Sequence, residues 1–432
     1  MELHPYLEKG VTPNGGLWYV LSALGECPSV RVGPTCSYIP GPEGHGGKVL
    51  VVGGANPGET FGELYVLDLE TFSWDRIDAP GFKARYEHSA FVPKSKPDKL
   101  YIFGGSDQHG NHKDVQVYDV TSQTWSIVTP VGEPPSARTY HNTAIIGDKF
   151  YVYSGGQSMA DPVSDRQVHC FDALTETWST LQIKGDAPKP RHGHVVVPVG
   201  NKLYIHGGMS GQTFYDDLHV LDLGSLSWSC IKQKRGCPSA RAAHAAVVSG
   251  GAIYIFGGMN RNGALDDLHV FDTKTRKWAP VALGGPPPAC RLDMGSCVIK
   301  ISVPNSSESA NDITKAANQT KEMLEAQLSR AGSAGSGRSV ASVSSVGSQD
   351  APLASSATSG SPSVTAGNGT KEVADDSSST KDTAEGACGD CGSPSGETSN
   401  KEDSKIVEMF FVFGGMDTEG EIFDDSLVFL LN

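Results

Sequence analysis

The sequence lacks the features of a membrane-spanning, secreted or nucleic-acid-binding protein. It contains no apolar run long enough to cross a bilayer, so we expect no transmembrane insertion. Its first residues show neither the basic nor the apolar region of a signal peptide, and we expect none. A net charge of −14 argues against nucleic acid as a partner, because nucleic acid needs a basic surface, and we expect no such partner.

The sequence also has no cysteine pattern that indicates a disulfide framework. Its nine cysteines are an odd number, and several lie inside strand-like apolar runs, where a free thiol behaves as a small apolar group. This usage predicts a reduced, cytoplasmic protein. A single C-x-x-C pair, Cys388 and Cys391, has no second ligand pair nearby, so we predict no metal.

Motifs for catalysis are missing as well. There is no G-x-S-x-G, no P-loop, no H-E-x-x-H, and no pair of carboxylates that stands apart from the repeats described next. The sequence therefore predicts no enzyme, no catalytic residue and no cofactor.

What the chain does have is glycine, 51 residues in all, arranged in a repeat. Gly-Gly pairs end five apolar runs at steps of 51, 51, 52 and 50 residues, and a sixth pair follows after a long insertion. A Trp follows each of the first five pairs by 20 to 22 residues. The pairs begin at Gly53, Gly104, Gly155, Gly207, Gly257 and Gly414. This period and these offsets are typical of kelch repeats.

Each repeat reads as four short strands, A to D. In the second repeat these are predicted at Arg85–Pro93, Leu100–Gly105, Val115–Val120 and Thr124–Val128. The last repeat has no D strand of its own, and Trp18-Tyr-Val-Leu at the N-terminus has the pattern of one. We therefore predict an all-β, six-bladed kelch β-propeller that is closed by the N-terminal strand.

The inserted segment has a different composition. Residues 305–405 contain 23 Ser and no Phe, Tyr or Trp, which predicts a disordered insert in blade six. The propeller then comprises residues 1–304, with strands B and C of blade six in 406–432. Within the insert, Ile313–Ser329 has partly helical spacing, and we read it either as a transient helix or as a partner-binding helix.

An Arg begins strand A of every blade, and in four blades a His follows three residues later. Residues repeated blade after blade are more typical of a scaffold than of a site, because a site breaks symmetry. We read the guanidinium groups either as buried ties between loops or as a ring for an anionic ligand at the channel mouth. They are Arg31, Arg85, Arg138, Arg191, Arg241 and Arg291.

The B–C loops differ most between blades, and loops of this kind carry specificity. Several are predicted to expose apolar side chains, the neighbouring D–A loops are basic, and the last B–C loop is acidic. A face with apolar anchors and both charge signs suits a protein partner. We predict that it includes Phe61, Met159, Met209, Phe214, Tyr215, Met259, Lys184, Arg235 and Glu421.

Several motifs resemble the family of Rab effector proteins with kelch motifs. They are Val-Gly-Gly-Ala-Asn-Pro at 52–57, Pro-Arg-His-Gly-His-Val at 190–195, Phe-Tyr-Asp-Asp-Leu-His at 214–219 and the run from Phe413 to Asp425. Pro34 and Met294 depart from the Arg-x-x-His pattern of the other blades.

The resemblance implies an effector of a GTP-bound late-endosomal Rab GTPase, peripherally associated with endosome membranes. It also implies a role in transport to the trans-Golgi network, with other trafficking proteins as further partners. The alternatives are a general kelch scaffold and a substrate-recruiting adaptor without a preference for a GTPase.

Overall fold

The computed structural model describes residues 4–42, 46–158, 161–232, 235–305 and 404–431. Strands and the turns between them make up nearly all of this part of the chain. No helix within it is long and apolar enough to span a membrane. The cysteines in these ranges are all free thiols. The proposed helix Ile313–Ser329 and the pair Cys388 and Cys391 lie outside the described residues.

The strands are numbered β1 to β34 in chain order. Three short strands come first: β1 (Tyr6–Leu7), β2 (Trp18–Leu21) and β3 (Leu24–Gly25). Blade one contains β4 (Thr35–Ile39), β5 (Lys48–Val52), β6 (Leu64–Asp68) and β7 (Ser73–Ile77). Blade two contains β8 (Ser89–Phe91), β9 (Lys99–Phe103), β10 (Ser106–Asp107), β11 (Gly110–Asn111), β12 (Val115–Asp119) and β13 (Thr124–Val128).

The next two blades follow the same order. Blade three contains β14 (Thr143–Ile146), β15 (Lys149–Tyr153), β16 (Gly156–Ser158), β17 (Asp161–Pro162), β18 (Val168–Asp172) and β19 (Thr177–Thr180). Blade four contains β20 (Val195–Val199), β21 (Lys202–His206), β22 (Met209–Ser210), β23 (Thr213–Phe214), β24 (Leu218–Asp222) and β25 (Ser227–Ile231).

The last two blades complete the set. Blade five contains β26 (Ala245–Ser249), β27 (Ala252–Phe256), β28 (Met259–Asn260), β29 (Gly263–Ala264), β30 (Leu268–Asp272) and β31 (Lys277–Pro280). Blade six contains β32 (Gly295–Pro304), β33 (Ser404–Phe413) and β34 (Ser426–Leu430).

Each blade is an antiparallel meander, and the A strands of neighbouring blades contact one another around the centre. The predicted six-bladed propeller is therefore confirmed. In blades two to five, the B–C loop itself forms a small two-stranded hairpin. We call the surface that the B–C loops build the hairpin face.

Closure by the N-terminal strand is also confirmed. Strand β2 pairs antiparallel with β34, with Trp18 opposite Phe429, and so supplies strand D of blade six. Strand β1 then adds a fifth, parallel strand outside it, which the repeat pattern did not predict. Strands β32 and β33 pair over ten residues, out to Pro304 opposite Ser404.

The Trp residues of the repeat pack between blades. Trp178, on strand D of blade three, has its ring centroid 5.1 Å from that of Phe103 in blade two and 5.1 Å from that of Phe171 in its own blade. Trp18 fills the same role at the closing blade, 4.7 Å from Phe256 of blade five. Burial of such aromatic faces contributes about 1.5–3 kcal/mol per side chain, so the interfaces between blades form the core.

Candidate functional site

The six Arg side chains occupy equivalent and fully enclosed positions, with at most 1% of their surface exposed. Arg191 shows the arrangement. Its Nε donates to Lys189 O at 3.0 Å and its Nη1 to Gly207 O at 2.9 Å. Both terminal nitrogens also donate to the carboxylate of Asp217, at 2.5 and 3.0 Å. The ring of Tyr215 covers the guanidinium at 4.2 Å.

The same carboxylate position pairs with the Arg in every blade, directly before or near the start of strand C. The pairs are Arg31–Glu63, Arg85–Asp114, Arg138–Asp165, Arg191–Asp217, Arg241–Asp267 and Arg291–Asp425. This geometry favours the reading in which buried guanidinium groups tie loops together. An anionic ligand would have to compete with a carboxylate in each blade.

These contacts change the pKa of the paired carboxylates, as Asp217 shows. Burial alone would raise the pKa of Asp217, but the hydrogen bonds from His219 and Arg191 outweigh it and hold the pKa below its usual range. His219 Nε2 lies 2.9 Å from the carboxylate of Asp217. Asp217 is therefore ionised at neutral pH and compensates the buried Arg191.

The Gly pairs join one blade to the next. Gly208 donates its N–H to Arg241 O of the following blade at 2.8 Å, and Gly415 closes the circle by donating to Arg31 O at 2.9 Å. A Cβ on Gly207 would lie 2.7 Å from Arg241 O, so no larger residue fits there without a shift. In blade three this position is held by Ser154 at φ +54°, one residue earlier than the sequence pair predicts.

The repeated His side chains pack under these Gly pairs. A Cβ on Gly104 would meet the ring of His141 at 2.5 Å, and one on Gly207 would meet His244 at 2.8 Å. Burial lowers the pKa of His141, His194 and His206 to about 3 and lowers the pKa of His88 and His244 well below their usual range. We call the four repeated residues together with His206 of strand β21 the buried histidines; these five are neutral at neutral pH.

Several predicted binding residues come together on the hairpin face. Met209 and Phe214 pair in the hairpin of blade four, and Met259 lies in the hairpin of blade five. All three are half-buried, and Phe214 lines a small surface cavity of about 390 Å³ with Asn260 and Arg261. The expectation that Phe61 is exposed is wrong, because only 4% of it is accessible and its ring covers Arg31 at 4.1 Å.

The predicted charges are spread more widely. Lys184 is exposed on the outer edge of blade four, where its backbone bridges in parallel to Ser227. Arg235 and Glu421 are exposed in loops of blades four and six. Met159 lies outside the described residues. A role for any of these residues in binding stays a prediction.

Hydrogen bonds between hairpins hold the face together. Asn111 Nδ2 donates to Gln157 O at 2.9 Å, which links blades two and three. Arg261 Nη2 donates to Gln212 O at 3.3 Å, which links blades five and four. A partner would therefore meet a largely preformed surface, which reduces the entropy that binding costs.

Sequence reasoning missed the residue that comes two places after each Arg. In all six blades it has a left-handed backbone, with φ between +46° and +62°. These residues donate backbone hydrogen bonds around the axis, for example Glu87 N–H to Gly33 O at 2.9 Å and Gly33 N–H to Asp293 O at 2.8 Å. We call them the inner ring: Gly33, Glu87, Tyr140, Gly193, Ala243 and Asp293. No residue type is shared at this position by the six blades, so the sequence carries no signal for it.

These features define a kelch-repeat propeller with a loop face suited to binding. The profile described as the KLHDC2/KLHL20/DRC7 Kelch-repeats domain matches residues 44–258 and 155–349, and the chain belongs to this kelch-repeat family.

Relatives carry a more specific name. The chain is similar to the Rab9 effector proteins with kelch motifs of Bos taurus, Homo sapiens and Danio rerio, with 47%, 45% and 42% identity. The matches cover 50%, 50% and 51% of this chain and 59%, 59% and 66% of the respective relatives. The chain thus matches less than two thirds of the length of these relatives. The family and these names point to protein binding rather than catalysis.

Proposed function

We propose that this propeller is an effector of a GTP-bound Rab GTPase of late endosomes. The observation that carries the proposal is its 42–47% identity, over roughly half of the chain, to proteins named Rab9 effector protein with kelch motifs. The protein would act in the cytoplasm, peripherally associated with endosome membranes. There it would serve vesicle transport to the trans-Golgi network, together with other trafficking proteins.

We assign the docking surface to the hairpin face. Met209, Phe214 and Met259 keep part of their side chains accessible on neighbouring blades, as the central anchors of an interface do. Tyr215 adds an amphipathic ring, which is held in place by its packing on Arg191. Glu421 adds an exposed acidic group in the B–C loop of blade six, and charges at a rim act mainly on the association rate.

The test is a binding measurement with the full chain against a panel of Rab GTPases loaded with a GTP analogue or with GDP. We expect selective binding of the late-endosomal Rab in its GTP form. Phe214→Ala should weaken this binding about thirtyfold or more, because loss of a central aromatic anchor costs about 2 kcal/mol or more. Leu174→Ala is the matched control, since Leu174 is 54% exposed in a C–D turn, away from the hairpins.

The second candidate function is a general kelch scaffold or substrate-recruiting adaptor. It is favoured by the family match, which rests on the propeller and says nothing of a GTPase. Equal binding of the GTP and GDP forms, or binding of no Rab at all, would replace the effector proposal by this one. Loss of endosome association in cells depleted of the Rab would test the proposed location separately.

A further inference from the structure

The chain contains three Asn-Gly pairs, which begin at Asn14, Asn262 and Asn368. Asparagine is one of the chemically labile residues. In an Asn-Gly pair the backbone nitrogen of the glycine can attack the side-chain amide of the asparagine, because the glycine has no Cβ to hinder the approach. The reaction also needs a backbone that can still rotate at the pair. Asn368 lies outside the described residues, and the two described pairs differ in their surroundings.

The pair at Asn14 lies in the turn that precedes the closing strand β2. Both Asn14 and Gly15 are exposed. A Cβ on Gly15 would meet nothing within 4 Å, and the N–H of Gly15 makes no hydrogen bond in the described part of the chain. The attacking nitrogen is therefore free, and the peptide that joins the two residues has room to rotate.

Contacts on either side of this peptide fix the ends of the turn. The N–H of Asn14 donates to the hydroxyl of Tyr19 at 2.8 Å, and Gly16 O accepts the N–H of Gly284 at 2.8 Å. Burial raises the pKa of Tyr19, while the backbone and the side chain of Asn14 act in the opposite sense, so the Asn14 amide lies beside this hydroxyl. The hydroxyl has a hydrogen of its own, and its donation to the amide oxygen would make Cγ of Asn14 more electrophilic.

The pair at Asn262 is also exposed, but its backbone is held in the hairpin of blade five. The N–H of Asn262 donates to Asn260 Oδ1 at 2.8 Å, and Gly263 pairs with Asn260 between strands β28 and β29. A Cβ on Gly263 would lie 3.2 Å from Thr418 Oγ1 of the next blade. Rotation of this pair would disrupt the hairpin, so its nitrogen reaches the amide less easily.

We propose that Asn14 is a site of spontaneous deamidation, which converts it into a mixture of aspartate and isoaspartate. The nitrogen of Gly15 attacks Cγ of Asn14, the N–Cγ bond forms, and the Cγ–Nδ2 bond breaks. Nδ2 takes up the proton of the Gly15 nitrogen and leaves as ammonia. Water then opens the succinimide at either carbonyl carbon and supplies the oxygen of the new carboxyl group, so water is the only co-reactant.

The modification acts on the strand that closes the propeller. Isoaspartate places one more methylene in the main chain, and both products carry a negative charge that Asn14 lacks. The longer main chain disturbs the contacts of Asn14 with Tyr19 and of Gly16 with Gly284, which position the start of β2. Because β2 pairs with β34 to complete blade six, we expect the modified chain to unfold more readily.

The test incubates the full chain at 37 °C and pH 8 and follows each Asn-Gly pair by peptide mapping with mass spectrometry. We expect Asn14 to be lost at least about tenfold faster than Asn262, which corresponds to a barrier lower by about 1.4 kcal/mol. Enzymatic transfer of a labelled methyl group to isoaspartyl carboxylates should label the peptide that contains position 14.

Gly15→Ala is the matched control, because the space for its Cβ is open and the backbone of Gly15 is not left-handed. This variant should melt as the parent does when fresh and should lose Asn14 at least about tenfold more slowly, since its methyl group hinders the attack. After incubation, the parent should melt at a lower temperature than the variant, and any change at Asn368 is common to both chains.

Loss of Asn14 no faster than that of Asn262 would overturn the proposal, and so would equal loss of Asn14 in the parent and in Gly15→Ala. Loss of Asn14 that leaves the melting temperature unchanged would overturn its effect on the closing strand.

Discussion

Replacement of Arg191 by Met tests whether the repeated Arg residues stabilise the propeller. The substitution keeps most of the hydrocarbon stem and removes four hydrogen bonds, to Lys189 O, Gly207 O and the two oxygens of Asp217. Loss of one partner of a buried ion pair costs about 3–5 kcal/mol. In this variant Asp217 still contacts His219, and 30% of its side chain is exposed to solvent. We therefore expect a loss at the lower end of this range, about 3 kcal/mol.

The assay is urea unfolding followed by Trp fluorescence, because Trp228 of the same blade is buried. Arg76→Met is the control: Arg76 is 52% exposed and pairs with Glu63 at 3.1 Å, and such surface pairs are worth about 0–1 kcal/mol. Asp217→Asn should cost at least as much as Arg191→Met, because it leaves the fully enclosed guanidinium of Arg191 without a carboxylate.

A loss no larger than that of the Arg76 control would refute the reasoning. A variant more stable than the parent would mean that the guanidinium groups repel one another. This result would favour the alternative hypothesis, in which the six Arg residues form a ring that binds an anionic ligand. Tripolyphosphate would then raise the melting temperature of the parent, and Arg191→Met would reduce that effect.

Three further predictions concern stability. Trp18→Ala should lower the free energy of unfolding by about 3–5 kcal/mol, measured in urea, because it empties the interface that closes the ring; a loss below about 1 kcal/mol would contradict this role. The buried histidines bind protons only when unfolded, so stability should be full above pH 6.5 and fall toward pH 3 by about 1.4 kcal/mol per pH unit for each histidine. The raised pKa of Asp293 acts in the opposite sense, since its contribution falls as pH rises through the native pKa; urea midpoints across this range that do not decrease with acid would contradict the histidine assignment. Gly33→Ala should destabilise the chain by about 1–3 kcal/mol in the same assay, because it combines a left-handed backbone with a contact to Glu87, whereas Gly200→Ala, with open space around it, should cost only its backbone strain.

The sequence predicted the architecture well because its signals are local and repeated. The Gly pairs, the Trp residues and the strand pattern of Trp18-Tyr-Val-Leu specify six blades and their closure. Strand A of blade two was predicted from Arg85 but begins at Ser89, because Glu87 adopts the left-handed conformation of the inner ring. No residue preference signals this conformation, since Glu and Tyr adopt it here alongside Gly.

The candidate site was harder to predict from sequence. Phe61 is buried because its ring stacks on Arg31, thirty residues earlier in the chain. The sequence of the B–C loop alone does not indicate this contact. The meeting of Glu87 with Asp293 depends on the closure of the ring, because blades two and six come together only around the axis. Long-range juxtapositions of this kind follow from topology rather than from a motif.

The pairing of β2 with β34 has a consequence for how the protein is made. Trp18 and its partner Phe429 lie at opposite ends of the chain, and every other blade is synthesised between them. At about 5–20 residues per second, a ribosome needs about 20–80 seconds to bridge that separation. During this time the apolar strand β2 has no partner strand and is available to chaperones, and the ring of blades can close only after β34 has been synthesised.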